Sequence, residues 1–222
     1  MRLIAPRTDN QRAYVEAIQN KTVVLCLGRA GVGKSYLALY EGLKMIEESK
    51  NKKNDSKIKR IIYCRPIIRE RRVEENIGYL PGDLSSKVSD MYGGLFHNLD
   101  DIVGSKEAGL LLENGIIKTT VLSHIRGSSF NNTLMILDEA TLLHIDSGAI
   151  KLFLTRIGKH SKAIILGDRR QSPLDINDMD MIDAMNRLND IDEVACVHLD
   201  DYVDVIRSEI VRKILQKYEE ES

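Results

Sequence analysis

Residues 28–35 read GRAGVGKS and residues 134–139 read LMILDE. In the first string Gly28, Gly31 and Gly33 let the backbone curl until successive N–H groups face one centre, the geometry that cradles a phosphate. Lys34 is long enough to reach terminal phosphate oxygens, and Ser35 offers a hydroxyl to Mg²⁺. The expected nucleotide-binding stretch is Gly28, Arg29, Ala30, Gly31, Val32, Gly33, Lys34, Ser35 and Tyr36. In the second string Asp138 is placed to hold Mg²⁺ through water, and Glu139 to polarise an attacking water as general base. Each string has a plainer reading, a flexible loop for the first and a turn or helix cap for the second. Finding both in one chain favours ATP and Mg²⁺ as cofactors.

These side chains need elements to position them. Residues 22–27 (TVVLCL) form a short, nearly pure apolar run of the kind that makes a strand buried on both faces. Residues 35–48 repeat apolar positions at three- and four-residue spacing and predict a helix, whose N-terminal dipole would add to the phosphate site. The buried-strand pattern recurs at residues 58–64, 117–122, 133–137, 163–166 and 194–199. Helical patterns fall at 149–157, 179–188 and 202–218, and two more, 85–103 and 106–113, lie in the stretch 72–115. Alternation of this kind predicts an α/β fold, a mainly parallel sheet with helices on both faces and a small helical insertion at 72–115 within a single domain spanning 1–222, and the glycine string between strand and helix makes it the P-loop NTPase type.

Composition sets bounds. With 222 residues, 43% of them hydrophobic, the chain can build a substantial core, and its formal charge of −1 argues neither for nor against a polyanionic partner. Charge is nevertheless polarised along the sequence: residues 50–72 carry ten Lys/Arg against two acids, and residues 175–204 carry ten acids against Arg187. Residues 50–59 read as a solvated connector, whereas Arg65, Arg69, Arg71 and Arg72 follow a strand end, where open parallel sheets place their working crevice. A solvated or salt-bridged face is the alternative. Cys26, Cys64 and Cys196 lack any metal or redox spacing and read as buried thiols in a reducing compartment. No signal-peptide core or run of about eighteen apolar residues occurs, so a cytoplasmic protein without membrane contact is expected.

Residues 162–171, KAIILGDRRQ, resemble motif III of superfamily 1 helicases, which implies that Asp168 and Gln171 sense the terminal phosphate. Thr8, Asn10 and Gln11 stand before the first strand at the spacing of a helicase Q-type motif, in which Gln reads the adenine edge. Thr8 can equally be a helix N-cap. The order TDNQ, GRAGVGKS, CRPI, GYLPGDLSSK, HIRGSSF, ILDEAT, FLTRIG, GDRRQ and DVIR resembles the PhoH-like ATPase family over nearly the whole chain. Departures stand at Ala140-Thr141-Leu142, where a Gln-Asn-like continuation is expected, at His124-Ile125 and at Ser208-Glu209.

The resemblance implies a single motor-like domain with ATPase activity, coupled to single-stranded RNA or DNA as an RNA helicase or translocase. A helicase motor closes its site with an arginine from a second RecA-like domain, and this chain has room for one, so another copy must supply it. The resemblance implies a hexameric ring. Arg156 and Arg207 are the candidates for the reaching arginine, with Arg65, Arg69 and Arg126 nearer to nucleic acid; each has a structural ion pair as its alternative. The competing function is an ATP-dependent switch or small-molecule phosphotransferase without a polymer substrate, which three Phe and no Trp permit.

Overall fold

Alternating residues of each apolar run face opposite sides of a sheet, and both sides are covered. In β1 (Val23–Gly28) all six residues are buried, with Val24 and Cys26 in one core and Val23, Leu25 and Leu27 in the other. The computed structural model describes residues 1–51, 57–66 and 91–199, with Asp204, Ile210 and Lys213. β2 (Arg60–Arg65), β3 (Ile117–Val121), β4 (Thr133–Leu137), β5 (Lys162–Gly167) and β6 (Val194–Leu199) complete a six-stranded sheet of order β3-β2-β4-β5-β1-β6. Every pairing is parallel, as in Leu25 beside Ile165 and Cys196. This is the expected α/β, RecA-like sheet.

One face carries α1 (Asp9–Asn20), α2 (Lys34–Asn51), α3 (Gly93–Val103) and α4 (Ser105–Glu113). The other carries α5 (Ala149–Leu154) and α6 (Asp180–Leu188), with Phe153, Met181 and Met185 against Leu25, Leu137 and Ile165. The helical stretch between β2 and β3 is described from Met91 onward; Tyr92, Leu95, Leu99 and Ile102 belong to the same core as α1 and α2. The GYLPGDL string and Arg69, Arg71 and Arg72 lie outside the described residues, as does most of the helix expected at 202–218. α5 stops at Leu154, three residues short of the expected end. The chain there turns to run beside Phe130, which pairs with Ile157 and accepts the Gly158 N–H at 2.9 Å.

The chain leaves β1 through α2, passes over the places of β5 and β4, and lands at β2; it later leaves β5 through α6 to reach β6 on the other side of β1. Connections therefore diverge beside β1, which opens a crevice at the C-terminal ends of the strands. α2 can lean across the sheet because Gly42 sits on Leu134 and Ile61. A Cβ at residue 42 would stand 2.6 Å from Leu134 Cδ2 and 2.9 Å from Ile61 Cδ1. Gly42→Ala is expected to destabilise the fold by about 1–3 kcal/mol through overpacking, lowering Tm by about 2–4 °C for each kcal/mol. Thermal denaturation measures it, and an unchanged or raised Tm would contradict this packing.

Candidate nucleotide site

The turn from β1 into α2 requires backbone that most residues avoid. Gly31 and Gly33 have φ of 78° and 86°, and Gly33 leads directly into the helix at Lys34. Gly28 has a different task from the curl expected of it: a Cβ there would stand 2.8 Å from Leu199 Cβ and from the Leu199 carbonyl oxygen, so its lack of a side chain lets β6 close on the loop. Arg29 is buried and its N–H donates to that same carbonyl at 3.2 Å. Lys34 curls over the loop, its Nζ donating to the carbonyls of Gly28 (2.8 Å) and Arg29 (2.7 Å). Two of the three ammonium donors are thus engaged with carbonyls that a phosphate can displace. Ala30, Gly31, Lys34 and Ser35 line a cavity of about 350 Å³, with Asp138 and Glu139 opposite.

β4 delivers the acidic pair, although β5 stands between it and β1 instead of β4 lying beside the phosphate loop. Asp138 Oδ2 accepts from Ser35 Oγ at 3.1 Å and from the Tyr63 hydroxyl, and Oδ1 accepts the Glu139 N–H at 3.0 Å. Tyr63 comes from the middle of β2 and is 2% exposed; burial and the Asp138 charge push its hydroxyl well above the usual tyrosine range, so it stays a donor. Its signal in sequence is slight, one hydroxyl-bearing ring in an aliphatic run. Glu139 has φ 61° and ψ 35°, the left-handed region, and its Oε1 is 2.9 Å from Arg65 Nη2. Burial first, then the Asp138 charge, push the Glu139 carboxyl above its ordinary range, against the opposing pull of Arg65 and Lys34. Two neighbouring oxygen donors, Ser35 and Asp138, suit Mg²⁺, which takes one or two protein ligands and completes its octahedron with phosphate and water. Among the described residues no cluster of three or more His, Cys, Asp or Glu offers a protein-only metal cage.

Asp168 and Gln171 lie on the far wall of the same cavity, beyond the end of β5. The Asp168 carboxylate accepts the Arg170 N–H at 3.1 Å, and Thr141 ties the ends of β4 and β5 together, its Oγ1 donating to the Asp168 carbonyl at 3.0 Å. Thr141 is the residue that departs from the expected continuation, and it is fully buried here. Tyr36 lines a neighbouring cavity of about 760 Å³ and donates to Asp101 at 2.5 Å, its hydroxyl pushed up to about 12 mainly by burial.

Gln11 also lines that cavity, but its amide does not present itself to an adenine as expected. The side chain is fully buried, its Oε1 accepting the Arg7 N–H at 2.7 Å and its Nε2 donating to the Val32 carbonyl at 3.0 Å. It fastens the N-terminal segment to the phosphate loop. Thr8 is the N-cap of α1, accepting the Gln11 N–H at 3.2 Å. Thr8 and Asn10 both donate to Asp204, a fully buried carboxylate in the DVIR string that sequence reasoning left without a role.

The arginines separate. Arg65 turns into the cavity at the strand end, the crevice expected of it, and there it is salt-bridged to Glu139. Arg126 is exposed after the 3-10 turn Leu122–Ile125. Arg156 lies at the opposite end of the sheet from the phosphate loop, beside the start of β4. Its Nη1 donates to the Ser128 carbonyl at 3.3 Å, and its Nε is buried without a hydrogen-bond partner among the described residues. Arg69 and Arg207 lie outside the described residues. No helix among the described residues is long and apolar enough to cross a membrane.

A family model described as "PhoH-like protein" matches residues 3–219. A PhoH-like protein of Bacillus subtilis (strain 168) is 36% identical over 220 residues, 99% of this chain and 65% of that protein. Protein PhoH of Escherichia coli (strain K12) is 29% identical over 218 residues, 97% of this chain and 58% of that protein. The chain thus spans less than two thirds of the length of these curated relatives. A solved structure of two coordinating Pif1 helicases unwinding forked DNA overlaps 90% of this chain and 44% of its own, at 13% identity and a TM-score of 0.34.

The raised carboxyl of Glu139 has a thermodynamic sign. A group whose folded-state pKa lies above its unfolded value contributes stability that is complete below the unfolded value and is lost as pH rises through the folded one. Glu139→Gln should therefore gain Tm relative to the unaltered chain as pH climbs from the ordinary carboxylate range to neutrality. Thermal denaturation across that window measures the difference; a gap that stays constant or narrows with rising pH contradicts the burial penalty.

Proposed function

The chain belongs to the PhoH-like protein family, and from that premise we propose that it is a Mg²⁺-dependent ATP hydrolase, working as a ring of identical copies coupled to single-stranded nucleic acid. One observation carries the reading: Ser35 Oγ lies 3.1 Å from Asp138 Oδ2 at the mouth of a loop that already bends Lys34 over its own carbonyls. In this reading Lys34 exchanges the Gly28 and Arg29 carbonyls for terminal phosphate oxygens, while the N–H groups of the loop and the first turn of α2 face the remaining phosphates. Ser35 and Asp138 hold Mg²⁺, with the Tyr63 hydroxyl keeping the Asp138 carboxylate in place. The bound ion supplies positive charge at the phosphate oxygens. Glu139 takes the proton of the attacking water, and a carboxyl raised by burial is better matched to that task than an ordinary one. Asp168 and Gln171, across the cavity, contact the terminal phosphate.

Of the described residues that line the cavity, Lys34 and Arg65 are the Lys/Arg cations, and Arg65 is paired with Glu139, so in this reading a further cation at the terminal phosphate comes from another copy. Arg156 is too far from its own phosphate loop to serve within one chain, which supports supply by a neighbouring copy, from Arg156 or Arg207. An arginine supplied in trans contributes about 10³–10⁵ in rate, so the isolated protomer is a poor ATPase.

Turnover measurements test this. Glu139→Gln should abolish hydrolysis while retaining nucleotide binding, and adding single-stranded RNA or DNA should stimulate the unaltered chain. Lys34→Ala mixed with Arg156→Ala or Arg207→Ala, each inactive alone, should recover activity at junctions that pair an intact loop with an intact arginine. Undiminished turnover in Glu139→Gln contradicts the base assignment. Absent rescue, with specific activity constant on dilution to monomer, shows a site complete within one chain. Absent stimulation moves the reading to a switch or phosphotransferase.

A further inference from the structure

One oxygen of the group expected to act as base is already paired. Glu139 Oε1 receives Arg65 Nη2 at 2.9 Å, and the other terminal nitrogen of Arg65 donates to the Met91 carbonyl. Both ends of the pair are rooted in the sheet: Cys64 and Leu137 are register partners on β2 and β4, and the Asp138 N–H donates to the Cys64 carbonyl at 2.9 Å. Arg65, the last residue of β2, stands one position past the Cys64–Leu137 pair and Glu139 two positions past it, and their side chains meet over the cavity. Their side chains are 27% and 26% exposed, enough for water and ligand to reach the pair. The backbone at Glu139 adopts the left-handed region, uncommon for a residue with a side chain, which turns the carboxylate toward Arg65.

A carboxylate oxygen that already accepts a charged hydrogen bond is a poor acceptor for a proton from water. A guanidinium, in turn, matches the oxygens of a phosphate as well as it matches those of a carboxylate. Arg65 lines the same cavity as Lys34 and Ser35, so a phosphate arriving there competes with Glu139 for it. We propose that Arg65 is a positioning residue that latches Glu139 in the absence of ligand and releases it when a phosphate oxyanion draws the guanidinium away. The proposal rests on the reading of Glu139 as general base. The oxyanion is either the terminal phosphate of the nucleotide or a backbone phosphate of a nucleic-acid strand crossing the mouth of the cavity, and the two sources have different kinetic signatures.

The test compares ATP turnover by the unaltered chain, Arg65→Gln and Arg65→Lys, without polymer and with polyuridylate or oligothymidylate, using Glu139→Gln as the inactive reference. If a polymer phosphate releases the latch, Arg65→Gln raises kcat without polymer by about ten- to a hundredfold, the worth of one charge-assisted hydrogen bond, at little change in KM. Its further stimulation by polymer falls to near one. If the phosphate of the nucleotide releases it, Arg65→Gln raises KM for ATP several-fold with kcat retained and polymer stimulation intact. In either case Arg65→Lys, which keeps the charge but not the planar fork, partly restores the behaviour of the unaltered chain. The latch is overturned if kcat, KM and stimulation in Arg65→Gln all match the unaltered chain, or if its kcat falls, which would make Arg65 a support for Glu139. An unaltered chain without turnover removes the base role, and with it both the proposed function and the latch; active unaltered protein with a silent Arg65→Gln removes the latch alone.

Discussion

Asp138 joins α2, β2 and the end of β4 at a single carboxylate. Its carboxylate meets the hydroxyl of Ser35, 103 residues earlier, the hydroxyl of Tyr63 on β2, and the N–H of Glu139. Charge-assisted hydrogen bonds of this kind are worth about 1.5–3 kcal/mol each, and the half-buried Asp138 carboxylate deprived of them would be left partly desolvated without compensation. The contact with Ser35 exists only because α2 starts at the end of β1 and leans over β5 toward β4 and β2, and that lean depends on the absence of a side chain at Gly42. Glycine backbone at residues 31 and 33, close packing at residue 42 and the carboxylate at residue 138 thus form one mechanical unit.

The phosphate loop is also held from both ends of the chain. β6 presses on Gly28 and Arg29 through Leu199, while Gln11 grips the Val32 carbonyl from the start of α1. Asp204 closes the loop of contacts by binding Thr8 and Asn10. A shift of the phosphate loop on ligand binding would therefore be felt at Asp204, three positions before Arg207.

The strands were legible because a parallel sheet covered on both faces writes itself as unbroken apolar runs, and β4 and β6 coincide with theirs. The gathering of Lys34, Ser35, Asp138 and Glu139 around one cavity was legible because fixed local spacing places them at strand ends. Roles set by partners distant in sequence were not. Gln11 looks free to read a base until Arg7 and Val32 are seen on its amide, and the choice for Arg65 between a phosphate contact and a salt bridge stays open until Glu139 is seen beside it. Thr141 shows in sequence only as part of a departure from the expected continuation, and its hydroxyl links the ends of β4 and β5. The end of α5 was missed because pairing with Phe130 ends the helix while its local pattern would let it continue.

The central claim, that Ser35 and Asp138 hold Mg²⁺ against a nucleotide on the phosphate loop, is tested most directly by the Mg²⁺ dependence of ATP affinity. Titration calorimetry on the unaltered chain should show affinity rising with Mg²⁺, while Asp138→Asn should bind nucleotide with an affinity that Mg²⁺ no longer improves. Equal Mg²⁺ dependence in the two proteins, or no nucleotide binding by the unaltered chain, would contradict the account.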